Sequence, residues 1–381
     1  MRKLTSLILL FSLVFTLWGC AKPAISTDPT QPPTETTGNT TAVTEPTVTP
    51  ILIEKPLTSV SVPLVSDTDS AENGTELFKY TYPHMALVLQ DNDVANKVIL
   101  DFLNRVDSTA QIAEELRQTA IAGYKGSRNW SPYLCQVLYE PTRIDQGVLS
   151  LSGTISTYSG GMHPDHTNMS VNYDLLTGDI LTLGSIMHMD ATREDFRELV
   201  LAELAPRAQE LYLYSDYEQG IAKRFDTDES QDENFYFTST GLCFYFSPYE
   251  IAPYASGTIT VEIPYEKLVG IIHDAFFPGE KHPTNATIQG KLLKEANMED
   301  IGQISEAILT PGGQMYLLTA DNLVENVRLQ LLGDNTQDQI FFASENLSVS
   351  NAIVIEATEE ELARIQLTYE NASGTQISLL P

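Results

Sequence analysis

Residues 235–265 read FYFTSTGLCFYFSPYEIAPYASGTITVEIPY. Three runs within them, Phe235–Phe237, Leu242–Phe246 and Thr258–Ile263, are rich in the aromatic and β-branched residues that suit a half-buried pleated surface. Pro248 and Pro253 bound a stiff loop whose apolar body is expected to pack on the sheet, with tyrosine hydroxyls reaching partners at its edge. Tyr249, Glu250 and Tyr254 cluster in that loop and also suit a binding surface.

Upstream, Ser59–Leu64 and Glu76–Leu89 read as strands. Asp91-Asn92-Asp93 offers helix caps, and Val94, Val98, Ile99, Phe102 and Val106 recur at helical spacing. The pattern weakens after Asp107 and resumes through Ile112, Leu116 and Ile121. Tyr133–Tyr139 and Val148–Tyr158 form a predicted hairpin with Asp145-Gln146-Gly147 as its turn, and a second hairpin is predicted around Leu176-Thr177-Gly178-Asp179. Thr192 to Asp195 reads as a capping box before a helix that Pro206 should kink or end. Pro264-Tyr265 precedes a short expected helix over 268–275.

Downstream, PGEKHP at 278–283 reads as a linker. Beyond it QMYLLT, NVRLQLL, QIFFAS, AIVIEA, ARIQLTYE and TQISLLP are strand-like, with Thr358–Glu361 able to cap one helical turn. The fold class is therefore α+β: antiparallel sheets packed with a few helices, followed by a small, mostly β C-terminal module. The expected divisions are a leader at 1–19, a tether at 20–57, an N-terminal α+β part at 58–155, a second α+β domain at 156–278 and the β module at 285–381.

Two segments carry a family resemblance. Tyr158-Ser159-Gly160-Gly161-Met162-His163 is followed by Asn172–Asp179 and Leu181-Thr182-Leu183, and the aromatic strands are followed by PYEIAPYA and Val261-Glu262-Ile263-Pro264-Tyr265. Over about residues 70–278 the chain resembles the paired outer domains of unknown function of RsiV-type anti-sigma factors and PdaC-type peptidoglycan deacetylases. The resemblance implies an α+β fold outside the cell and a binding role, since RsiV-type proteins bind lysozyme. The deacetylase's Thr-Phe-Asp-Asp-Gly motif does not occur in this sequence.

The N-terminus resembles a bacterial lipoprotein signal. Met1-Arg2-Lys3 opens an apolar run that ends Leu17-Trp18-Gly19-Cys20, close to a lipobox. Cys20 is the expected lipidation site, where two acyl chains would bury methylenes at ~0.8 kcal/mol each and hold the protein on the bilayer. The Thr- and Pro-rich stretch to residue 57 cannot bury enough apolar surface to offset its ordering entropy, and its prolines favour an extended tether. The expected location is the outer face of the membrane of a Gram-positive-type cell.

The net charge of −29 repels nucleic acid and anionic lipid and argues against either as the principal partner. It would favour a cationic partner. Cys135 and Cys243 sit in strand-like text and are either joined in a disulfide or buried as free thiols. No Gly-x-Ser-x-Gly elbow, HExxH or phosphate loop occurs, so the chain reads as non-enzymatic and no cofactor is expected.

The candidate ligand-binding residues are Tyr158, His163, Asp165 and His166, on a Gly-rich loop of the kind that carries binding groups. Both imidazoles would share a face only on a helix, and Gly160-Gly161 and Pro164 argue for a turn, so no metal is assigned. Asp226, Asp228, Glu229, Asp232 and Glu233 lack an EF-hand's spacing and read as a solvated acidic loop. The expected function is a lipid-anchored envelope binding protein whose ligand is peptidoglycan or a wall-degrading protein such as lysozyme. The alternatives are an envelope enzyme centred on His163, Asp165 and His166, or an accessory lipoprotein docking a partner through residues 285–381.

Overall fold

The computed structural model describes residues 51–380 except 128, 227–233, 297, 300 and 334–337. The leader, Cys20, the tether before Ile51 and Asp228, Glu229, Asp232 and Glu233 of the acidic loop lie outside the described residues. Among the described residues, no helix is long and apolar enough to cross a membrane. The compact unit begins at Ile51.

Its first half contains β1 (Ser59–Ser61), β2 (Leu64–Ser70), β3 (Glu76–Pro83), β4 (Ala86–Val88), α1 (Asn92–Gly123), β5 (Tyr133–Ile144), β6 (Val148–Tyr158) and β7 (Asp165–Asp174). A five-stranded sheet runs β2-β3-β5-β6-β7, antiparallel except where α1 crosses over to make β3 and β5 parallel. Asp91 caps α1, its carboxylate accepting from the Asp93 and Val94 amides at 2.9 and 3.2 Å. The helix continues through the weak stretch of the pattern. There it buries the small residues Thr109, Ala113 and Ala120, so no large apolar repeat is needed. The expected strand Glu76–Leu89 breaks at His84-Met85, sending β3 and β4 to different sheets.

The middle of the chain adds α2 (Leu183–Ile186), α3 (Arg193–Leu204), α4 (Tyr217–Phe225), β8 (Phe235–Phe237), β9 (Gly241–Phe246) and β10 (Ile259–Pro264). The last three form an antiparallel sheet ordered β10-β9-β8. Phe196, Val200 and Leu204 of α3 and Ile221 and Phe225 of α4 share one core with Phe235, Phe244 and Phe246 of that sheet. The Thr192–Asp195 box forms, and α3 ends at Leu204, before Pro206. The second predicted hairpin shrinks to one bridge, Tyr173 to Ile180, because α2 follows directly. The helix expected at 268–275 is replaced by single 3₁₀ turns at Tyr265–Lys267 and Asp274–Phe276, which lie either side of bridges from Ile272 to Met187 and Val269.

The small sheet is mounted on the large one by polar side chains. β8 has β9 on one side only, so the outward backbone groups of Phe235 and Phe237 need other partners. The Phe235 carbonyl accepts from Ser170 Oγ at 2.7 Å and Asn172 Nδ2 at 2.9 Å. The Phe237 amide donates to Ser150 Oγ at 2.8 Å, which donates in turn to Asn172 Oδ1 at 2.6 Å. All three side chains are buried. Beside them the buried Arg143 donates to Asp145 Oδ2, to the Tyr265 hydroxyl at 2.7 Å and to the Phe276 carbonyl at 2.6 Å, with its guanidinium over the Phe237 and Tyr265 rings. Burial pushes the Tyr265 hydroxyl up to about 12, so it stays protonated.

The last third holds β11 (Ile288–Leu292), β12 (Gln303–Ile308), β13 (Gln314–Ala320), β14 (Val324–Leu331), β15 (Gln339–Leu347), β16 (Asn351–Ala357), α5 (Glu359–Leu362), β17 (Ile365–Asn371) and β18 (Gly374–Leu379). A four-stranded sheet, β11-β13-β16-β12, and a six-stranded sheet, β18-β17-β14-β15-β1-β4, enclose a core around Phe341, Phe342, Leu329, Ile353 and Ile355. β1 and β4 come from residues 59–88, more than two hundred positions earlier, with Ser59 opposite Ser344 in β15. Before β1, Asn346 Nδ2 donates to the Pro56 carbonyl, Asn351 Nδ2 to the Lys55 carbonyl, and Lys55 pairs with Glu345 at 2.7 Å. The strands of 285–381 thus depend on residues 55–61 to complete their sheet.

Cys135 and Cys243 are both free and buried, on β5 and β9. Burial pushes each thiol up to about 11, leaving little thiolate at neutral pH. In a Cys20→Ser chain, a thiol reagent should find no reactive group in the native state at pH 7 and both thiols after denaturation. Ser150→Ala should cost ~1–3 kcal/mol, because it strands the buried Phe237 amide. Urea unfolding monitored by circular dichroism measures that loss.

Candidate functional site

The loop between β6 and β7 and the loop between β9 and β10 meet. Gly160 and Gly161 hold φ of +89° and +123°, a backbone that glycine adopts without steric cost. They turn the chain so that His163 lies on Tyr254, ring centroids 4.7 Å apart and planes 28° from parallel. The Pro164 carbonyl accepts from both rings, from His163 Nδ1 at 3.0 Å and the Tyr254 hydroxyl at 3.3 Å. Tyr249 continues the series 5.6 Å from Tyr254. The residue is 67% exposed and its φ is +72°, an uncommon backbone state for tyrosine that costs on the order of 1–3 kcal/mol.

The remainder of the β9–β10 loop is structural. Ile251 and Ala252 are buried against the sheet core, and Glu250 pairs with Arg224 and accepts from the Ser247 amide at 2.9 Å. The loop therefore has a packed apolar body and a tyrosine edge. Fully exposed Met162 stands in the facing loop.

A polar cleft of about 130 Å³ is lined by residues of both sheets. Ser152, Thr154, Asn168, Tyr236, Tyr245 and Thr258 contribute to its walls. Asn168 Nδ2 donates to Thr258 Oγ1 at 2.6 Å, joining β7 to the end of the β9–β10 loop. Tyr236 and Tyr245 stack with centroids 6.2 Å apart, and burial, reinforced by Cys243 and Glu262, raises the Tyr236 hydroxyl above its ordinary value. Gly153 lies under the cleft: a Cβ there would meet the Leu138 carbonyl at 2.6 Å and the Tyr139 ring at 2.8 Å.

The four residues singled out in the sequence are only partly assembled. Tyr158 is half-buried and donates to the Gly161 carbonyl at 3.2 Å, shaping the loop. His163 joins the ring stack. Asp165 and His166 are exposed at the head of β7, where successive side chains face opposite ways, and His166 Nδ1 contacts Ser156 Oγ at 2.8 Å. Among the described residues no three His, Cys, Asp or Glu side chains gather as metal ligands. The strand residues Asn168, Tyr236 and Tyr245, and Thr258 just before β10, were not singled out as site residues in the sequence. Alternation along β7 puts Asn168 on the same face as Ser170 and Asn172, which is the signal that could have found it.

Residues 189–266 match the model of DUF3298, a protein family of unknown function. The matched segment holds α3, α4, β8 to β10 and the Tyr249–Tyr254 loop. Two crystal structures of DUF3298 proteins are similar to this chain. The one from Bacteroides fragilis is 20% identical, covering 57% of this chain and 94% of that one with a TM-score of 0.43. The one from Pseudomonas aeruginosa PAO1 is 19% identical, covering 59% and 99% with a TM-score of 0.41. No curated protein matches the chain.

If the stack pins the loop, Tyr254→Ala should speed amide exchange at Gly160–Met162 while leaving β6 and β7 protected. Hydrogen exchange read by mass spectrometry distinguishes this from general loosening, in which all three segments would exchange faster.

Proposed function

We propose that the chain is a lipid-anchored binding protein of the bacterial envelope, held at Cys20 outside the membrane, and that its ligand is the glycan of peptidoglycan. The observation carrying this reading is the ring series His163, Tyr254 and Tyr249, presented on two loops and built with left-handed backbone at Tyr249. The face of an aromatic ring is electronegative, so it receives the C–H face of a pyranose. The hydroxyl- and amide-lined cleft next to Asn168 and Thr258 supplies the hydrogen-bonding partners a sugar needs. Tyrosine gives this contact at low conformational cost because only two side-chain torsions are ordered.

The resemblance of residues 70–278 to the outer domains of wall-linked proteins points to the same compartment. A lysozyme-type partner would be drawn by the net charge of −29, but charge governs encounter more than affinity. The ring series and hydroxyl cleft favour a saccharide.

Calorimetric titration with soluble peptidoglycan fragments and, separately, with lysozyme tests the proposal. Fragment binding is expected, and Tyr254→Ala should weaken it by at least about tenfold, equivalent to ~1.4 kcal/mol. Unchanged affinity in that variant, or binding to lysozyme alone, would remove the reading.

A further inference from the structure

Open sheet edges invite pairing with other strands, and natural proteins blunt them with charge, proline or shortness. Most edges here carry such a device. β2 presents Asp67, β11 Lys291 and β12 Glu306; β10 carries Glu262 and ends at Pro264; β4 is only three residues long. β18 is different. Its sequence, GTQISL, has no charge and no proline, and it pairs with β17 without a register shift. Ile377 and Leu379 are 64% and 56% exposed on it.

Among the described residues no strand pairs with the outer side of β18, and the register says which of its backbone groups face that way. Asn371 and Gly374 close the β17–β18 hairpin, and the Leu380 amide donates to the Ile365 carbonyl at 3.0 Å. Antiparallel ladders alternate, so Gly374, Gln376 and Ser378 face β17, whereas Thr375, Ile377 and Leu379 turn their N–H and C=O groups outward. These same residues share one side-chain face, opposite Glu370, Thr368 and Gln366 of β17.

We propose that this edge pairs antiparallel with β18 of a second copy of the chain, about a two-fold axis at Ile377. In that register Ile377 lies opposite Ile377 of the second copy, and Thr375 lies opposite its Leu379. Each pair exchanges both backbone hydrogen bonds, so the outward groups of all three residues are satisfied. Aliphatic side chains meet across the axis, and no like charges oppose one another. The strand is thus complementary to itself, which an isologous interface requires. The net charge of −29 opposes association only through nearby groups, because salt screens the rest over ~8 Å. The acidic residue opposite Thr375 on β17, Glu370, is paired with Lys281 at 3.0 Å. Joining the edges makes one continuous sheet from the two six-stranded sheets and does not involve the ring series of the proposed ligand site.

Sedimentation equilibrium of the chain from residue 20 onward, with Cys20→Ser, tests this directly. The expected mass is twice that of the chain. Ile377→Lys should halve it without changing the circular dichroism spectrum, and Ile112→Lys, on the exposed face of α1, should leave the dimer intact. Opposed residues in such a pair have Cα atoms about 5.5 Å apart, within reach of a disulfide, so Ile377→Cys should form a covalent dimer on mild oxidation. A monomer at every concentration, or a dimer that survives Ile377→Lys, would overturn the proposal.

Discussion

The free edge of β8 must be closed before this molecule can hold its shape. A buried strand with unpaired amides and carbonyls on one side costs about 1–3 kcal/mol for each orphaned group. Ser150, Ser170 and Asn172 remove that cost with side-chain donors and acceptors in place of another strand. The interaction is directional, unlike the aromatic packing around it. Side-chain bonds to particular backbone groups permit one seating of the small sheet on the large one, whereas apolar contact alone tolerates sliding. Arg143 fixes the same joint from its end, tying the β5–β6 turn to Tyr265 and Phe276.

The loops at the candidate site inherit that precision. One extends from β6 into β7 and the other from β9 into β10, so each belongs to a different sheet. Their rings stack because the sheets beneath them are locked, and Asn168 to Thr258 repeats the lock closer to the loops. The glycines at 160 and 161 and the strained Tyr249 are local concessions that aim the rings. Stability for those concessions comes from the buried core of α3, α4 and the three-stranded sheet.

A second long-range closure shapes the other half. Residues 55–61 lie along β15, held by Asn346, Asn351 and Glu345, and supply a strand to the C-terminal sheet. The lysine there is balanced by Glu345, whose carboxyl stays above its ordinary value because burial outweighs the opposing pull of the Lys55 charge. Residues 55–61 and the strands of 285–381 are therefore stabilised together, and the root of the expected tether is part of the fold.

Local patterning was legible in the sequence because it depends on neighbours a few residues apart. The Asp91 cap, the Thr192–Asp195 box, the first hairpin and the aromatic strands of 235–246 all follow from side-chain period and capping chemistry. The elements that were missed depend on distant partners. β11 and β12 carry a weak pattern and exist because β13 and β16 offer them edges. The break at His84-Met85 exists because β3 and β4 answer to different sheets. At the site, the sequence by itself determined the Gly-rich turn and the proline-bounded tyrosine loop, since φ preference and ring stiffness are properties of single residues. Only the tertiary structure decided that His163 stacks on Tyr254 while Asp165 and His166 stand apart from them. That choice belongs to the hydrogen bonds joining two sheets, whose partners lie from 63 to 90 residues apart in the chain.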